Sequence, residues 1–139
     1  CFGRVFLPLH PTQYAELLGQ KLEQHPEVNV WLINTGWTGG KYVEGKRMNL
    51  KYTRAMINAA MRGDLDEVEY VPHVVFGVLK PQSCPGVPAE VLNPRTTWAD
   101  AEAYDKQALA LAQLFVDNFK QYEDQASEEI LSAAPQTSL

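Results

Sequence analysis

Only two cysteines, Cys1 and Cys84, occur in the 139 residues, too few for a disulfide framework and without metal-ligand spacing. Their scarcity points to a reducing compartment, with a single disulfide left open. No apolar run approaches the ~18–20 residues that span a bilayer, and no basic segment followed by a long apolar stretch marks a signal peptide. Neither a membrane nor a secretory route is expected. Positive charge is scarce as well: the net charge of −5 favours solubility and argues against a general nucleic-acid binder. An initiating methionine is missing. Starting at Cys1-Phe2-Gly3, the chain reads as a fragment or a processed product.

What is present fits one domain of ordinary composition, 45% hydrophobic and 21% charged. Val5-Phe6-Leu7 reads as a short strand. Pro11-Thr12 opens a helix with Tyr14, Leu17, Leu18 and Leu22 at helical spacing, and Pro26 ends it. Val28 to Ile33 is β-branched and almost continuously apolar, the pattern of a buried strand. Asn49 is placed to cap a helix from about Leu50 to Arg62, closed by Gly63, with an apolar stripe of Leu50, Thr53, Ile57, Ala60 and Met61. Asp64, Asp66, Glu67 and Glu69 make a solvated turn. Glu67 to Val71 and His73 to Leu79 resemble strands interrupted by Pro72. The longest helix is expected to begin after Asp100 and run to about Tyr122. Its face comprises Tyr104, Ala108, Leu111, Ala112, Phe115, Phe119 and Tyr122. Residues from about 133 form a frayed tail. The class is mixed α/β, without the regular alternation of a complete doubly wound sheet.

One stretch has functional character. From Asn34 to Arg54 a strand feeds a glycine loop (Gly36, Gly39, Gly40, Gly45) that ends at a helix N-terminus, where backbone N–H groups and the helix dipole favour anions. Lys41, Lys46, Arg47, Lys51 and Arg54 gather there, opposed by Glu44. Charge alone favours a solvated loop with ordinary surface lysines over a nucleotide site. Gly36-Trp37-Thr38-Gly39-Gly40-Lys41 is not a phosphate-binding P-loop, because it has too few residues between its glycines and Tyr42 follows the lysine. His10, His25 and His73 have no metal spacing. No Gly-x-Ser-x-Gly, Cys–His pair or close carboxylate pair stands out. A complete catalytic site is not expected, so no catalytic and no metal-binding residue is assigned.

Longer strings carry a resemblance. Phe6-Leu7-Pro8-Leu9-His10-Pro11-Thr12-Gln13-Tyr14-Ala15-Glu16, Ile33-Asn34-Thr35-Gly36-Trp37-Thr38-Gly39-Gly40, Gly45-x-Arg47-Met48 and Tyr52-Thr53-Arg54 are similar to segments of ATP-dependent phosphoenolpyruvate carboxykinases. So are Pro85-Gly86-Val87-Pro88, Leu92-Asn93-Pro94-Arg95 and Leu114-Phe115-Val116-Asp117-Asn118-Phe119. The matches run in order along nearly the whole chain.

The resemblance implies the C-terminal part of a mononucleotide-binding α/β domain, spanning residues 1–139. The implied enzyme is cytoplasmic and converts oxaloacetate and ATP to phosphoenolpyruvate, carbon dioxide and ADP in gluconeogenesis. It further implies that Arg47 stacks on the adenine, Met48 offers backbone hydrogen bonds and apolar surface, and Thr53 hydrogen-bonds the purine. The P-loop, the Mg2+ and Mn2+ ligands and the oxaloacetate-binding arginines would lie upstream, so this chain alone would be inactive and would have the rest of the carboxykinase as its partner. A different class of reading is a free-standing, non-catalytic module that binds nucleotides or a protein.

Overall fold

Proline at the first helical position costs no hydrogen bond and presets the helical φ, and a helix does start at Pro11. The structure, a computed structural model, describes residues 6–33 and 36–139. Helix α1 is Pro11–Gln24, as its spacing predicts. His10 occupies the cap without capping: its Nδ1 shares a 2.8 Å hydrogen bond with Thr12 Oγ1. Leu17 and Leu18 on this helix are exposed. Of the expected Val5–Leu7 strand, Val5 lies outside the described residues, and Phe6 and Leu7 join no strand.

The chain divides into two units. The first comprises Cys1–Val30 and Val116–Ala134. Here the ring of Tyr122 stands edge-on to His10 at 5.7 Å and also meets Phe119. A 3-10 turn over Lys120–Gln125 follows the longest helix, and a short helix, Glu128–Ser132, is capped by the Ser127 hydroxyl.

The second unit, Trp31–Phe115 with Pro135–Leu139, holds every strand among the described residues. Strands β1 (Trp37–Thr38) and β2 (Lys46–Arg47) pair antiparallel, as do β3 (Tyr70–Pro72) and β4 (Leu79–Pro81). Helix α2 is Leu50–Arg62. Both of its signals work as read: the Asn49 side chain accepts from Lys51 N–H at 2.9 Å, and Gly63 closes the helix at φ 76°. Short helices α3 (Ala89–Leu92) and α4 (Pro94–Thr97) lead to α5 (Ala101–Phe119). Asp100 Oδ1 caps α5, accepting from the N–H groups of Glu102 and Ala103. The class is mixed α/β.

Further expectations need correction. Val28 to Ile33 is not a strand; Leu32 is 83% exposed, and within this stretch only Trp31 packs on a core cluster. A β-branched run needs a ladder partner to become a strand, and none exists among the described residues. His73 to Leu79 is mostly a turn, because buried His73 organises it. His73 Nδ1 accepts from the N–H groups of Val75 (3.1 Å) and Phe76 (3.3 Å), and Nε2 pairs with Tyr104 Oη at 2.7 Å. Gly77 at φ 69° returns the chain to β4. Burial, with Lys80 assisting and Asp105 opposing, holds the imidazole below its ordinary pKa, consistent with a neutral ring protonated at Nε2.

Another correction concerns which face of α2 is buried. Thr53 and Ala59 face inward, with Met56 and Ala60 alongside, while Leu50, Ile57 and Met61 stay exposed. Ala59 packs against Leu65 and Cys84, and Gly86 of the Cys84–Val87 turn lies beside Ala55, where an added Cβ would meet it at an ordinary contact distance of 3.7 Å. Ala59, Leu65 and Cys84 form this core. A second cluster joins Val75 to Ala108 and Ala112 of α5. Ala108 and Ala112 are thus buried as expected, whereas Leu111 and Phe115 on the same expected face are exposed.

Candidate functional site

The glycine loop is a pinched hairpin. β1 and β2 pair Trp37 with Arg47 and Thr38 with Lys46, and Met48 N–H donates to the Gly36 carbonyl at 3.0 Å. Between the strands, Gly45 N–H donates to the Lys41 carbonyl at 2.8 Å. Side chains are excluded at the pinch: a Cβ on Gly45 would lie 2.7 Å from the carbonyl oxygens of both Gly40 and Thr38. At the tip, Val43 takes φ 80°, a conformation that β-branched residues rarely adopt. The exposed ring of Tyr42 stands edge-on to Trp37 at 5.1 Å.

This hairpin delivers two of the three expected base-contacting residues side by side. Arg47 is exposed at the end of β2, on the same ribbon face as its cross-strand partner Trp37. Half-buried Met48 follows it. Asn49 then turns the chain into α2, whose second turn carries Thr53. Thr53 differs from Arg47 in environment: it is 3% exposed, and its Oγ1 is buried with no hydrogen-bond partner. Lys41, Lys46, Lys51 and Arg54 are exposed around this junction, and none of them joins an ion pair among the described residues. The positive end of α2 adds to their field. Asn34 and Thr35, where the expected functional stretch begins, lie outside the described residues.

Residues that sequence reasoning missed hold the hairpin. Thr97, at the end of α4, accepts on its hydroxyl from Gly39 N–H (3.1 Å) and from the Thr38 hydroxyl (3.2 Å), and donates to the Pro94 carbonyl at 2.7 Å. α4 is itself tied to α5 by a two-pronged pair, Arg95 Nε and Nη2 each 2.9 Å from an Asp105 oxygen. The Arg95 guanidinium holds the Asp105 carboxyl below its usual range. Leu92-Asn93-Pro94-Arg95 stood out as a string, but no spacing connected it to the glycine loop.

Elsewhere burial pushes the Cys84 thiol up, with Asp64 adding to the shift, so the thiol stays protonated at neutral pH. No group of three or more His, Cys, Asp or Glu able to hold a metal occurs among the described residues, and no described helix is long and apolar enough to cross a membrane.

The sequence matches the family model described as phosphoenolpyruvate carboxykinase over residues 1–90. The phosphoenolpyruvate carboxykinase (ATP) of Flavobacterium johnsoniae is 63% identical over 137 residues, covering 99% of this chain and 26% of the relative. The enzyme of the same name from Christiangramia forsetii is 55% identical over 135 residues (97% and 25%). That of Caldanaerobacter subterraneus subsp. tengcongensis is 54% identical over 135 residues (97% and 26%). The chain therefore spans about a quarter of the length of the curated relatives it matches.

Proposed function

The chain belongs to the phosphoenolpyruvate carboxykinase (ATP) family, and from that premise we propose that it supplies part of the adenine pocket of such an enzyme. It would form the C-terminal portion of the nucleotide-binding domain, residues 1–139. The observation that carries this reading is the junction of β2 and α2. Within one strand-to-helix turn it offers a free guanidinium at Arg47 and the apolar edge of Met48. Thr53 follows on the inward face of α2, its hydroxyl unpartnered and closed to solvent; such a hydroxyl costs about 1–3 kcal/mol, and a purine nitrogen would meet it only where the packing over it opens. Arg47 stacks its guanidinium on the base.

The whole reaction is then the conversion of oxaloacetate and ATP to phosphoenolpyruvate, carbon dioxide and ADP, a cytoplasmic step of gluconeogenesis. Enzymes of this kind use ATP with divalent cations, Mg2+ and Mn2+, which would stabilise charge on the phosphates. The described residues do not fit a metal, and the chain has no P-loop. Phosphate, metal and dicarboxylate binding would therefore fall to the rest of the carboxykinase chain, and this chain alone would be inactive. The exposed apolar residues of α2 (Leu50, Ile57, Met61) and of the β3–β4 connection (Val74, Val78) support that remainder as the partner that covers them.

Arg47→Ala in the full-length carboxykinase carrying this segment tests the reading. Losing a stacking contact of about 1 kcal/mol is expected to raise the KM for ATP roughly fivefold, leaving the KM for oxaloacetate unchanged. An unaltered KM for ATP would remove Arg47 from the base pocket.

A further inference from the structure

A two-strand ribbon with two residues per strand is too short to hold its own geometry, so the position of Arg47 depends on whatever grips the hairpin from outside. The Thr97 hydroxyl supplies such a grip. Thr97 Oγ1 donates its proton to the Pro94 carbonyl at 2.7 Å and accepts from Gly39 N–H at 3.1 Å and the Thr38 hydroxyl at 3.2 Å. A hydroxyl has one donor and two acceptor lone pairs, and all three are in use here. The backbone fits as tightly: a Cβ on Gly39, which sits at φ 74°, would approach the Thr97 carbonyl oxygen to 3.0 Å.

Thr38 is next to Trp37 on β1 and pairs across the ribbon with Lys46, the residue before Arg47. The grip therefore lies one ladder rung from the guanidinium. Behind Thr97 the support is firm. Arg95 forks onto Asp105 of α5, Thr96 Oγ1 donates to the Asn93 carbonyl at 2.8 Å, and Lys80 reaches Asn93 Oδ1 at 3.4 Å.

We propose that Thr97 is a positioning residue for nucleotide binding, its hydroxyl latching the glycine hairpin to α4 so that Arg47 and Met48 are held at the angle the base requires. The inference rests on the adenine-pocket reading above and adds to it a determinant on a separate element. Thr97 touches no nucleotide; it acts through the hairpin.

The test compares three variants of the full-length carboxykinase carrying this segment. Thr97→Val keeps the side-chain shape and deletes every hydrogen bond of the latch. It is expected to raise the KM for ATP roughly 3- to 10-fold, the worth of one to two ordinary hydrogen bonds, with kcat and the KM for oxaloacetate unchanged. Thr97→Ser retains the hydroxyl and is expected to keep the KM for ATP within about twofold of the parent, since all three bonds can be remade. Arg47→Ala is the control for the pocket itself. Thr97→Val without effect on ATP, beside an Arg47→Ala that does raise its KM, would overturn the latch and leave the pocket standing. A fall in kcat with both KM values disturbed, or a Thr97→Ser no better than Thr97→Val, would reduce Thr97 to general packing and also overturn it. An Arg47→Ala without effect would remove the pocket and the latch together.

Discussion

Alanine at position 45 is expected to open the hairpin that carries Arg47. The added Cβ would sit 2.7 Å from two carbonyl oxygens, those of Gly40 and Thr38. Both are backbone atoms, so neither can rotate away as a side-chain tip would, and one strand must shift. Overpacking of this kind costs about 1–3 kcal/mol, a large sum for a ladder of two residue pairs. The Met48 N–H bond to the Gly36 carbonyl should break with it. Amide hydrogen exchange reads this directly: Met48 is expected to lose at least tenfold protection in Gly45→Ala. Gly19→Ala is the matched control, because nothing lies within 4 Å of that position on α1. There the same chemical change should stabilise, by up to about 1 kcal/mol. Unchanged Met48 protection in Gly45→Ala would contradict the pinched geometry.

The other large effect is expected at Leu65, which is 3% exposed and packs with Ala59 and Cys84. The cluster seats the inward face of α2, and Trp31, Met56 and Leu92 pack against it. Leu65→Ala should cost about 2–5 kcal/mol, the transfer term plus the cavity left behind. A domain's whole stability is about 5–15 kcal/mol, so this one change should bring α2, and Thr53 on it, close to release. Met61→Ala, on the opposite face and 82% exposed, should stay within about 0.5 kcal/mol. Urea midpoints at constant m-value separate the two. Equal costs would place Met61 on the buried face of α2 as well, where the apolar stripe puts it.

That stripe shows where sequence reasoning succeeds and where it stops. The ends of α2 were legible because capping is local chemistry: Asn49 and Gly63 each act within a few residues. Its buried face was legible in part: Thr53 and Ala60 of the stripe turn inward, Leu50, Ile57 and Met61 do not, and Ala59 joins through a contact with Cys84 that is distant in sequence. His73 lies in a run with the composition of a strand, yet its ring builds a turn by accepting two backbone N–H groups, which apolar periodicity cannot register. Val28 to Ile33 has the composition of a strand without a described partner. At the candidate site, spacing gave only a basic glycine loop. The roles proposed for Arg47, Met48 and Thr53 rest on family strings, and that proposed for Thr97 on neither source, since a threonine hydroxyl leaves no pattern in sequence.

The central claim is that Gly45 to Arg54 forms a wall for adenine. It is tested most directly by following the backbone amides of this chain by NMR while ATP and, separately, GTP are added. The account predicts that ATP shifts the amides of Arg47, Met48 and Thr53 and those around them, with GTP moving them far less. Shifts of equal size with both nucleotides, or shifts clustered away from the β2–α2 junction, would contradict it.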